Sequence, residues 1–199
     1  MSLFRNVVVI VVLSLPSIAC TTVSKPSRYY ALPSLEDGAE AEVASLDSDL
    51  SVGVLDIRLP AYLDRPQLVG RVGDNELAVS EFSRWGGSLK QGIQRVLAQN
   101  LTVLLGSRHV YRRPWARGVD PERQVGVDID RFDVDTEGRV RLFAGWRIFS
   151  RDGRALIDEG RARISLPAVQ GEAARVRARG QALVELAREI AARLRAGGE

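Results

Sequence analysis

Of 199 residues only one is cysteine, Cys20, and only one is histidine, His109. A lone cysteine excludes an intramolecular disulfide and any metal cluster built from thiolates. A lone histidine, with no serine or cysteine placed in sequence to partner it, leaves nucleophilic catalysis without its parts. A hydrolase would have to rest on His109 alone. No glycine-rich phosphate loop follows a strand and no nucleophile elbow occurs, so the chain brings no nucleotide chemistry of its own. Strong charge of one sign is missing too. The net charge of +3 is far from the dense basic patch of a nucleic-acid binder, and aromatics do not alternate with basic residues as on an RNA-binding sheet. The chain is read as a non-enzyme without a cofactor. What it does have is bulk: 45% hydrophobic and 27% charged residues suit one packed domain and not wholesale disorder.

Long apolar runs are equally scarce. The stretch from Val7 to Leu15, preceded by Arg5, is too short to span a membrane, which takes about 20 apolar residues, but it fits the apolar centre of a signal peptide. Ser17-Ile18-Ala19 then lead to Cys20, an arrangement that resembles the lipobox of bacterial lipoproteins. Residues 1–19 are therefore expected to be a signal peptide and Cys20 the lipidated first residue of the mature chain. Acyl chains worth ~0.8 kcal/mol per buried CH₂ would hold it on a membrane. Thr21 after the cysteine, in place of aspartate, points to the outer membrane of a double-membraned bacterium. Residues 20–28 read as the lipidated cysteine and its tether, whose eight residues after Cys20 reach at most roughly 28 Å. The domain is expected over 29–199.

Within it, Tyr29–Pro33 reads as a short strand stopped by proline. Residues 34–49 carry six acids and no base and read as a loop, with a helical turn near Ala39–Ala44 as an option. One strand is expected over Val52, Val54 and Ile57–Leu59, and others at Leu68–Val72 and Leu77–Val79, the last two joined by a turn at Gly73-Asp74-Asn75. From Phe82 the apolar spacing becomes helical, with Phe82, Trp85, Leu89, Ile93, Val96, Leu97, Leu101 and Leu104 on one stripe, Gln94 off it, and Gly106 as the stop. Gly86-Gly87 weakens or breaks the first turn. Residues 124–165 read as an antiparallel meander with turns at DTEG and RDGR, and 171–196 as a helix with an apolar stripe through Val176, Gly180, Leu183, Ala187, Ile190 and Leu194 and its arginines outside. The expected fold class is α+β: a single domain with two amphipathic helices on a largely antiparallel sheet.

Two features invite a test for chemistry. "DVDTEG", Asp133 to Gly138, matches the opening of a calcium loop, but the twelfth position, where a bidentate glutamate is needed, is Ala144. Asp128, Asp130, Asp133 and Asp135 are better read as the solvent face of a strand, and no metal is expected. Trp85 and Trp146 read first as packing, and as a groove or protein interface second.

The stretch "LPAYLDRPQLVGR", residues 59–71, fixes its backbone with Pro60 and Pro66. Followed by Asn75-Glu76-Leu77, Trp85 and Asn100-Leu101, and preceded by Tyr29, Tyr30 and Leu32, it resembles the ABC-type transport auxiliary lipoproteins, the PqiC/YmbA-like family. "VDIDRFD" and "AGW" (144–146) fit the family's later strands. The resemblance implies a periplasm-facing accessory lipoprotein working with an MCE-domain protein and an ABC permease and ATPase to move lipids or other hydrophobic molecules, with a homo-oligomer left open. It singles out Tyr62, Leu63, Asp64, Arg65 and Trp85 as partner-binding residues. Whether the 59–71 connection presents Tyr62, Asp64 and Arg65 to a partner or locks the sheet stays open in the sequence. The competing reading is a stand-alone lipid-binding lipoprotein.

Overall fold

The structure is a computed structural model and describes residues 25–37 and 48–197. The signal peptide, Cys20, Thr21 and the helical turn near Ala39–Ala44 lie outside the described residues. Eight strands and two helices follow in the order β1 (Arg28–Tyr30), β2 (Val52–Val54), β3 (Gln67–Arg71), β4 (Leu77–Trp85), α1 (Leu89–Leu105), β5 (Val110–Arg112), β6 (Arg123–Val134), β7 (Arg139–Ser150), β8 (Leu156–Pro167) and α2 (Glu172–Ala196).

The α+β, two-helix architecture is present, and the strands divide between two mixed sheets. One has the order β1-β4-β3 and the other β5-β2-β6-β7-β8. The meander β6-β7-β8 is antiparallel throughout, because its turns can close locally: Gly138 and Gly153 take the left-handed φ values of 73° and 72° that such turns require. Short parallel pairings add the rest, β1 to β4 and β2 to both β5 and β6. The two-residue alternation then decides which face is core. Val125, Val127 and Ile129 of β6 and Val140, Leu142, Ala144, Trp146 and Ile148 of β7 point inward and are buried. Helices α1 and α2 pack on each other and cover this face.

Two expectations are corrected, and one strand is added. The first helix begins at Leu89, not Phe82. Residues 82–85 belong to β4, since Ser83 and Trp85 pair with Arg28 and Tyr30 of β1 and Gln67 of β3 faces Arg84. Two glycines cannot sustain either element, so the chain changes from strand to helix across Gly86-Gly87. The segment Ile57–Leu59 is not a strand, and only Arg58 bridges to Asp128. Strand β5 was not foreseen. The expected stop at Gly106 is there, in the left-handed conformation (φ 63°), its N–H donating to the carbonyls of Thr102 and Val103.

Two polar side chains sit where the periodicity places solvent. Gln94 is buried, and its Nε2 donates to the carbonyls of Val54, Leu55 and Arg113 at 3.1–3.2 Å. It thereby ties α1 to the exit of β2 and to the chain after β5. Arg179 on α2 is also buried, at 2% exposure, although the other arginines of that helix do face outward as the stripe requires.

Candidate functional site

The segment Leu59–Gln67 is a compact turn held by its own backbone. Leu63 N–H donates to Pro60 O (3.0 Å), Asp64 N–H to Ala61 O (3.3 Å) and Arg65 N–H to Leu63 O (2.9 Å). The two prolines supply no donors and fixed φ angles, so the turn loses little entropy on ordering. Its far end is welded to the strand before α1, where Trp85 N–H donates to Pro66 O at 2.7 Å.

Beneath the turn lies a buried carboxylate. Asp133 of β6 is fully buried and accepts from the Tyr62 hydroxyl (3.1 Å), Arg71 Nε (3.1 Å) and Arg131 Nε (2.8 Å). Asp133 is thus not on the solvent face expected of it. A bulge between Ile129 and Arg131 shifts the register of β6, and the turn then covers the side chain. One signal of this was in the sequence: the spacing of core residues changes from two to three between Ile129 and Phe132. Burial, and then the negative charge of Asp133, push the Tyr62 hydroxyl above its ordinary pKa, so it stays a donor at neutral pH. Tyr62 therefore locks the turn onto the sheet. Removing its hydroxyl in Tyr62→Phe deletes one hydrogen bond to a charged group, and a urea melt is expected to show a loss of ~1.5 kcal/mol at unchanged m value.

The five singled-out residues have different surroundings. Leu63 and Trp85 are buried at 3% and 7% exposure, and the Arg179 guanidinium lies over the Trp85 ring, 5.8 Å from its centroid. Asp64 forms an exposed ion pair with Lys90 of α1 (2.6 Å), a contact of small energetic weight that fixes direction more than stability. Arg65 is exposed, and its side chain makes no hydrogen bond or ion pair with another described residue. The turn thus places Asp64, Lys90 and Arg65 together on one rigid, solvent-facing corner, with Tyr62, Leu63 and Trp85 as its foundation.

The other motif residues serve the frame. Tyr29 is exposed, whereas Leu32 is buried, and the Asn100 side-chain oxygen accepts from the N–H of Leu35 at 2.9 Å. His109 is exposed and its Nδ1 lies 3.2 Å from the Tyr111 hydroxyl. Of the four aspartates, Asp128 pairs with Arg147 and Arg58 and Asp135 with Arg141. Among the described residues no group of three or more metal-ligating side chains converges, and no helix is long and apolar enough to cross a membrane.

The model of the family described as "ABC-type transport auxiliary lipoprotein component" matches residues 30–191, which take in the turn, its buried carboxylate, α1 and most of α2. The chain belongs to this family. Membership makes it an auxiliary lipoprotein of ABC-type transport. Solved structures share the fold. Protein XCC0632 from Xanthomonas campestris, of the DUF330 family, is 16% identical with a TM-score of 0.67, covering 86% of this chain and 97% of its own. An uncharacterized protein is 19% identical with a TM-score of 0.68, covering 85% of this chain and 99% of its own. No curated protein matches the auxiliary lipoprotein.

Proposed function

We propose that this auxiliary lipoprotein is held on the outer membrane through acylated Cys20, faces the periplasm, and serves an MCE/ABC-type lipid-transport system by binding its MCE-domain protein. The observation that carries the reading is the rigid corner at Asp64-Arg65 within a chain of this family. Prolines, a buried carboxylate and a tryptophan immobilise a turn on which Arg65 is exposed, its side chain without a hydrogen bond or ion pair to another described residue. Arginine on a preordered turn is the kind of anchor around which binding energy concentrates. Energy for transport would come from the system's ATPase.

The test is affinity purification of the tagged lipoprotein from detergent-solubilised membranes, with mass spectrometry of what accompanies it. An MCE-domain protein is expected in stoichiometric amount. Arg65→Glu is expected to reduce its recovery about tenfold, the equivalent of ~1.4 kcal/mol, with an unchanged thermal melt. Recovery of a consistent lipid and no MCE protein would move the function to stand-alone lipid carriage.

A further inference from the structure

A pocket of about 320 Å³ lies between the end of β1 and the first turns of α1. Tyr30, Leu32, Trp85 and Leu89 form its apolar walls, and the last three are core residues. The pocket is kept open by glycine where the fold does not ask for it. Gly92 stands in the first turn of α1, where glycine is a poor helix former. A Cβ there would touch only Leu32 Cδ1 at 3.8 Å, an ordinary contact, and one at Gly87 would meet nothing within 4 Å. Neither residue has a positive φ. Both line the pocket, and what their missing side chains preserve is its volume.

The charged lining is of one sign. Arg95 of α1 and Arg112 of β5 belong to it, and no aspartate or glutamate does. The two cations are unequal. Arg95 is tied down, its guanidinium donating to Gln99 Oε1 at 2.6 Å and to Leu32 O at 2.7 Å. Arg112 is exposed, and its side chain makes no hydrogen bond or ion pair with another described residue. An apolar hollow with only positive charge in its lining matches a ligand that is apolar along its body and anionic at one end.

We infer that the pocket between β1 and α1 binds a single-chain anionic amphiphile, its chain over Gly87 and Gly92 against the apolar walls and its carboxylate or phosphate on the Arg112 guanidinium. An exposed guanidinium offers paired N–H groups to two oxygens of one oxyanion, and here no other partner has to be displaced first. This site needs neither an MCE partner nor Arg65, so it stands or falls separately from that interface.

The experiment photolabels the full mature lipoprotein, reconstituted in phosphatidylcholine vesicles, with palmitate carrying a diazirine in its chain, and locates the label by mass spectrometry. Label is expected on the peptides that hold Tyr30–Leu32 and Gly86–Gly92. An excess of plain palmitate or of palmitoyl lysophosphatidic acid should suppress it, the more effective of the two naming the headgroup. Hexadecanol, the same chain without a charge, should not. Arg112→Glu, at an exposed position, is expected to cut the labelling about tenfold with an unchanged thermal melt. Gly92→Ala should raise the melting temperature, and Gly92→Leu should abolish the label by filling the pocket; Arg112→Glu decides the matter if Gly92→Leu fails to fold. Suppression by hexadecanol as strong as by palmitate, label confined to other peptides, or labelling untouched by Arg112→Glu would each overturn the assignment.

Discussion

Asp133→Ala is expected to destabilise the domain by ~3 kcal/mol, the lower end of the cost of removing one partner from a buried ion pair. Asp133 accepts from three donors while wholly removed from water. The lower end applies because the two guanidinium side chains retain 22% and 23% exposure and regain some water when the carboxylate goes. Arg71 also keeps a bond to the carbonyl of Asp74 at 2.9 Å. Tyr62 would be left with nothing to donate to, so the turn at residues 59–67 should loosen as well. Urea melts of Asp133→Ala, Tyr62→Phe and the double variant measure this. The double variant should cost clearly less than the two singles added, because both act on one network. Additive costs would mean that Tyr62 is held by something other than Asp133.

Trp146→Ala should cost ~3–5 kcal/mol, as truncation of a buried aromatic side chain does. Trp146 is 3% exposed, and its Nε1 donates to Glu189 Oε1 at 2.8 Å, tying β7 to α2. The ring lies across Gly160, its register partner on β8. A Cβ built at Gly160 would stand 2.3 Å from Trp146 Cζ2, closer than any real contact, so Gly160→Ala forces the ring to move. Alone, that substitution should destabilise by ~1–3 kcal/mol. In a Trp146→Leu background the same methyl enters vacated space, and its effect should fall to near zero or reverse. Thermal melts of the four proteins in this cycle decide the matter. An equal cost of Gly160→Ala in both backgrounds would remove the ring from the explanation.

The parts legible in the sequence were those whose determinants are close together along the chain. The meander follows from DTEG and RDGR between alternating runs, and α2 from a stripe that repeats over about five turns. The helical period of Phe82, Trp85, Leu89 and Ile93 predicts a helix through Trp85; what makes Trp85 a strand residue is β1, which no local pattern near Trp85 reports. The stripe of α2 places Arg179 among the outward arginines, yet the carbonyl it binds belongs to Val69, 110 residues earlier in the chain. The candidate site shows the same division. Prolines and motif mark the turn from Leu59 to Gln67, whereas the alternation of aspartates assigns the carboxylate that holds Tyr62 to solvent. Partners distant in sequence left a trace only as a changed spacing in β6.

The placement of β2 bears on how the chain assembles. Val52-Gly53-Val54 sits between β5 and β6, and both parallel neighbours, from Val110 and from Arg123 onward, come later in the chain. A chain that appears N-terminus first cannot seat this strand until much of its second half has arrived, whereas β6, β7, β8 and α2 find their partners almost at once. Loop closure over such separations is slow compared with hairpin formation. Within its sheet this strand has the largest loops to close, and until both neighbours are in place its three buried residues are an adhesive segment with both edges open.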